Sequence, residues 1–138
     1  MNTSGEVYND TLFKQNTLFK GLKWGEITPT DIDGTIDFGN KAWVIFELKH
    51  TGNDLPPGQR WAFERMVDNL NKIKPAICFI AEHSTRPEDD IIASEAIVVE
   101  YRYKEKKWMK TPNGNNLKES INIFLKIIGL EEIYPNSN

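Results

Sequence analysis

Residues 42–49, AWVIFELK, are apolar on both sides of an extended chain. In a strand, Ala42, Val44, Phe46 and Leu48 share one face, and Trp43, Ile45, Glu47 and Lys49 share the other. A strand of this kind belongs inside a sheet with both faces covered. Helices must therefore pack on both sides, which defines an α/β layer architecture. The strand also ends with a carboxylate and an ammonium on an otherwise apolar face. Burying such groups costs several kcal/mol unless they pair or bind an ion.

The rest of the chain can supply those layers. At 138 residues it fits one domain with a substantial core. Phe38-Gly39-Asn40-Lys41 reads as a turn, and the alternating segment 32–38 before it makes a hairpin with 42–49. After the polar loop HTGNDLPPG, a helix is predicted over 58–72, with Gln59, Phe63, Met66, Val67 and Leu70 on one face and Pro75 beyond its end. Residues 76–82 (AICFIAE) read as a buried strand and 83–94 as an acidic loop. Residues 96–103 (AIVVEYRY) read as a strand paired with a shorter one around 106–111. Asn116 caps a last helix carrying Leu117, Ile121, Phe124, Leu125 and Ile128, with Gly129 as its stop. At the other terminus, Thr3 and Glu6 have capping-box spacing, and Tyr8, Leu12, Phe19 and Leu22 share a face, which predicts a helix over 3–22. The expected whole is one mixed α/β domain over 1–138, its central sheet flanked by helices.

Composition narrows the classes. No apolar run approaches the ~18 residues of a membrane span, and MNTSGEVYND has neither the basic start nor the apolar stretch of a signal peptide. A cytoplasmic protein is the expectation. The single cysteine, Cys78, lies in the apolar run AICFI and reads as a buried free thiol. A net charge of -3 argues against nucleic-acid binding by bulk charge, but not against a local basic patch. Residues 101–110, YRYKEKKWMK, offer such a patch. Arg102, Lys104, Lys106, Lys107 and Lys110 stand against Glu105 alone, with Tyr101, Tyr103 and Trp108 interleaved. Those aromatics suit either a phosphate-gripping surface or a hairpin that covers the core. By contrast, residues 82–95 hold five acids against Arg86 alone.

Hairpin geometry gives the charged strand end its meaning. A three-residue loop over 39–41 pairs residue 38 with 42 and places Asp33 directly opposite Glu47. A two-residue loop moves the partner to Ile32 and leaves Asp33 adjacent. Directly opposed positions lie about 5 Å apart, so two carboxylates would meet within reach of one divalent cation. On the same ladder Asp37 falls roughly 13–17 Å from Glu47 and reads as a turn residue. Asp31, two positions before Asp33, is a further candidate.

An acid on one strand followed by Glu47-Leu48-Lys49 on the next resembles the signature of the PD-(D/E)xK nuclease superfamily. Gln59, at the start of the helix after that motif, resembles the glutamine of its Holliday-junction-resolvase-like and phage-type branches. The resemblance covers about residues 3–105 and implies a restriction-endonuclease-like αβββαβ core, followed by a C-terminal hairpin and helix over 106–130. It implies a metal-dependent endonuclease that hydrolyses DNA (or RNA) phosphodiester bonds, selective for junctions or branched structures, with Mg²⁺ or Mn²⁺ as cofactor. Asp33, Glu47 and the Leu48 backbone carbonyl would be the metal ligands. Lys49 would orient water and stabilise charge, and Gln59 would support the site. Glu6 is a candidate extra acid, and His50 a candidate phosphate contact. The family's proline is replaced by Ile32, which leaves Asp33 and Asp31 both open as the first ligand. Junction-cleaving relatives act as twofold dimers, and Trp24, Trp61 and the last helix are candidate interface elements. The alternative is a nuclease-fold module that has lost catalysis and binds nucleic acid or a protein.

Other readings fit less well. DIDGT over 31–35 also spells a motif of haloacid-dehalogenase-like phosphatases, but GEITPT precedes it where an apolar strand is needed. His50 and His83 lack the accompanying ligands of a zinc site. No P-loop, dinucleotide-binding glycine pattern or Gly-x-Ser-x-Gly elbow is present.

Overall fold

The turn predicted at 38–41 sets the register of the first hairpin. Gly39 and Asn40 both adopt positive φ (59° and 61°), the backbone region that Gly and Asn enter at least cost. Asp37 Oδ1 accepts the Asn40 N–H at 2.7 Å, and the Phe38 N–H reaches the Ala42 carbonyl at 3.0 Å. The loop is thus the three-residue form. Strand β1 (Gly34–Asp37) pairs antiparallel with β2 (Trp43–His50) from Asp37↔Trp43 to Gly34↔Phe46. The computed structural model describes residues 18–112 and 114–136.

After β2 the chain crosses through helix α1 (Pro57–Leu70) into β3 (Ala76–His83), which lies parallel to β2 with Glu47 beside Ile80 and Lys49 beside Glu82. Asn71 fixes the return from α1: its side chain donates to the Ala76 carbonyl at 2.6 Å and accepts the Ala76 N–H at 2.8 Å. A short 3₁₀ turn (Ala93–Glu95) leads into β4 (Ile97–Arg102), antiparallel to β3, and β5 (Trp108–Lys110) pairs with β4. Helix α2 (Leu117–Ile127) opens on a capping box in which Asn116 Oδ1 accepts the Glu119 N–H at 2.8 Å and Glu119 Oε1 accepts the Asn116 N–H at 3.0 Å. Gly129 (φ 77°) follows the helix end, as predicted.

Among the described residues the sheet has five strands in sequence order, β1 to β5. Strand alternation splits the core into two layers. Val44, Ile77, Phe79 and Val98 pack against Leu117, Ile121, Phe124 and Leu125 of α2. Ile45, Ala76 and Cys78 pack on the other face against Phe63 and Val67 of α1. The α/β layering expected from the two-sided β2 is observed, with boundaries within two residues of the expected ones for most elements.

Two expectations are corrected or left open. Of the helix predicted over 3–22, residues 3–17 lie outside the described residues and 18–22 make a turn. Two strands, not three, precede α1 among the described residues, with an isolated Trp24↔Ile27 bridge ahead of them. The described order is therefore ββαβββα. No helix among the described residues is long and apolar enough to cross a membrane.

Candidate functional site

The β1–β2 register, extended one residue past Gly34↔Phe46, sets Asp33 opposite Glu47 on the α1 face of the sheet. Here β1 has ended, and the Asp33 carboxylate takes over its role in the ladder: Oδ2 accepts the Leu48 N–H at 2.7 Å. The Phe38–Ala42 hydrogen bond fixes the ladder's phase, so even-numbered residues of β2 turn both N–H and C=O toward β1. The Leu48 carbonyl accordingly points to the side where Asp33 stands.

Glu47 is 6% exposed, and its Oε2 is fully enclosed without a hydrogen-bond partner among the described residues. Burial, then the adjacent Asp33 carboxyl, push its pKa from 4.5 up to about 7, against smaller opposing effects of an Asp33 backbone contact and the Gln59 amide. Gln59, in the first turn of α1, also donates to the Asp31 carbonyl at 3.4 Å. Lys49 follows two residues after Glu47 on the same face, its side chain 15% exposed. Its Nζ lies 3.9 Å from Asp54 Oδ1, a carboxylate on a side chain that is 98% exposed. Such a contact is worth little and leaves the ammonium available.

A second buried glutamate offers an internal comparison. Asp33, Glu47, Ile80, Glu100 and Lys110 form one row across the sheet, and Glu100 is also 6% exposed. Two strand spacings put it about 10 Å from Glu47. Arg60 Nη1 donates to its Oε2 at 2.8 Å, and Lys110 Nζ bonds its Oε1. Burial alone would raise its pKa, but these two cations outweigh it and hold the pKa low. The same residue type at the same depth thus meets two cations on β4 and, among the described residues, a second carboxylate and the Gln59 amide on β2.

The structure separates the remaining candidates. Asp31 contributes its backbone carbonyl to Gln59, and Asp37 closes the β1–β2 turn. His50 falls on the opposite sheet face from Lys49, where its ring meets His83 edge-on at 5.4 Å, so alternation takes it away from the Glu47 cluster. Glu6 lies outside the described residues. The basic segment needs a larger correction. Arg102 is buried, with Nε and Nη2 bonded to Asp68 at 3.0 and 2.7 Å, so it is an interior group and not a surface one. Lys110 is committed to Glu100. Lys104, Lys106 and Lys107 are exposed, but β4 runs antiparallel to β3, so their turn lies at the end of the sheet opposite Glu47 and Lys49. Tyr101 and Tyr103 pack against the α2-side core, and Trp108 Nε1 donates to Glu64 at 2.7 Å. The aromatics cover the core.

Sequence reasoning missed the Arg60–Glu100–Lys110 and Arg102–Asp68 pairs. Their signal was present: Glu100-Tyr101-Arg102 repeats on β4 the Glu-x-basic pattern of β2. Among the described residues no group of three or more His, Cys, Asp or Glu side chains converges as a metal cage. A cation between Asp33 and Glu47 would have those two carboxylates and main-chain oxygen as its protein ligands. Comparison with family models, curated proteins and solved structures finds no match.

Proposed function

We propose that this chain is a Mg²⁺- or Mn²⁺-dependent nuclease that hydrolyses DNA phosphodiester bonds at the Asp33–Glu47–Lys49 cluster. The observation that carries the reading is Glu47 Oε2, an enclosed carboxylate oxygen with no hydrogen-bond partner among the described residues, beside a second carboxylate. Two like charges this close are unfavourable without a cation, and hard oxygen donors suit Mg²⁺ or Mn²⁺. Asp33, Glu47 and the Leu48 carbonyl would hold the ion. Once bound, it would polarise a scissile phosphate and acidify a water.

The chain's own groups have distinct tasks. Glu47 and Asp33 present negative oxygen on one side of the strand end. Lys49, tethered among the described residues only to exposed Asp54, can turn its ammonium to a phosphate oxygen and stabilise the charge that develops during displacement. The Gln59 amide favours ionised Glu47, which keeps the carboxylate ready to bind a cation near neutral pH. The superfamily resemblance extends the reading to branched DNA and a twofold dimer, for which exposed Trp24 and Trp61 offer contact area.

The test is cleavage of linear, branched and single-stranded DNA, and of RNA, with Mg²⁺ or Mn²⁺ and with chelator. Metal-dependent cleavage that falls about 10²–10³-fold in Lys49→Ala, with the fold intact, is expected. No cleavage of any substrate under these conditions removes the enzyme reading in favour of a catalytically silent module.

A further inference from the structure

Helix α1 begins without a side-chain cap: Pro56 is its N-cap residue, and its first turn carries no acid. No side chain at the helix's own N-terminus fixes this turn, in which the Gln59 and Arg60 N–H groups both reach the Pro56 carbonyl at 3.1 Å. Side chains on two consecutive residues tie this turn to the sheet instead. Gln59 Nε2 donates to the Asp31 carbonyl at 3.4 Å, just ahead of β1 and beside Glu47, and Arg60 bonds Glu100 on β4. The two carboxylates stand in one row on either side of Ile80. The Arg60 guanidinium also lies 4.9 Å from the centroid of the Trp108 ring, and Trp108 is bonded in turn to Glu64, one helical turn further along α1.

Charge balance does not require this arrangement. Lys110 already bonds Glu100 from its exposed position on β5, so Glu100 would keep a counter-charge without Arg60. What Arg60 adds is direction, because a planar guanidinium that meets a carboxylate and an aromatic face together defines a rotation as well as a distance. We infer that Arg60 is a positioning residue: through the Glu100 carboxylate and the Trp108 ring it sets the rotation of the first turn of α1 and so holds the Gln59 amide at the Asp31 carbonyl, beside Glu47. The inference rests on the proposed metal site only for the consequence of misplacing Gln59.

The experiment compares full-length wild type with Arg60→Met, Arg60→Lys and the charge-balanced double variant Arg60→Met/Glu100→Gln. In metal-free protein, the Gln59 side-chain amide signals in ¹H–¹⁵N spectra should shift and broaden in both Met-bearing variants and return toward wild type in Arg60→Lys. Calorimetric Mn²⁺ affinity should fall about tenfold in both Met-bearing variants, the size of effect seen when a ligand's supporting partner is lost. It should fall no further when Arg60→Met is added to Gln59→Ala. Unmoved Gln59 signals in folded Arg60→Met overturn the inference, as does a full, additive penalty in the Gln59→Ala background. The metal-free spectra decide it even where wild type binds no Mn²⁺, an outcome that would end the metal-site reading alone.

Discussion

Replacing Glu47 with glutamine should stabilise the metal-free protein at alkaline pH while it removes a proposed metal ligand. The folded-state pKa of about 7 lies above the ordinary 4.5, with burial as the main cause and Asp33 second. A raised folded pKa means that the native state retains a proton which the unfolded chain has released. The associated stability is therefore complete below pH 4.5, declines as pH rises toward 7, and is lost above it. Between the ordinary 4.5 and about 7, at ~1.4 kcal/mol per pH unit, the loss amounts to about 3 kcal/mol at pH 8. Glutamine has the protonated side chain's shape and no titration, so it should recover most of that 3 kcal/mol, about 10 °C in melting temperature for a chain of this length. The assay is urea unfolding of wild type and Glu47→Gln in chelator at pH 4.5, 6 and 8, repeated at pH 8 with Mn²⁺. The two proteins should nearly coincide at pH 4.5 and diverge as pH rises. Mn²⁺ at 100 times its dissociation constant should then restore about 2.7 kcal/mol to wild type alone. A Glu47→Gln protein no more stable than wild type at pH 8 would refute the reasoning, because the buried carboxylate would then have its compensation already.

Two further perturbations test the surrounding structure. Burial, then the charge of nearby Glu47, push the Cys78 thiol up to about 12, so native protein should resist alkylation at pH 8 and react only with denaturant, as followed by intact mass. A Cβ at Gly34 would fall 2.0 Å from the Phe46 ring across the hairpin, so Gly34→Ala should lose about 1–3 kcal/mol in chemical denaturation, and an unchanged midpoint would count against that close packing.

What could be read from sequence was whatever short range determines. Gly39 and Asn40 specify a turn over 38–41 that is compatible with a two- or a three-residue loop; the structure has the three-residue loop, whose register sets Asp33 opposite Glu47. The apolar periods of β2, β3 and α2 similarly located the layers, and Asn116 marked where the last helix starts. The failures share a different cause. Arg102 looked like a surface cation because its partner, Asp68, is 34 residues earlier and reaches it only when α1 lies across the sheet. Arg60 and Glu100, 40 residues apart, are joined by the same packing. Local charge counting treats every lysine and arginine in a run as solvated, whereas alternation on β4 sends Glu100 and Arg102 inward together.

That alternation also sharpens the argument for the site. Glu-x-basic on a covered strand is an expensive pattern wherever it occurs, and this fold contains it twice on the same sheet face. On β4 each charge of the pattern has a protein partner: Arg60 and Lys110 for Glu100, Asp68 for Arg102. On β2 the fold goes the other way, placing a further carboxylate, Asp33, beside Glu47 and, among the described residues, leaving Lys49 with only an exposed Asp54 at 3.9 Å. A chain able to neutralise Glu100 with two cations about 10 Å away is not short of means to neutralise Glu47. The imbalance at β2 is thus a property of this one strand end, and the divalent cation we propose there has the charge and donor preference that match what Asp33 and Glu47 offer.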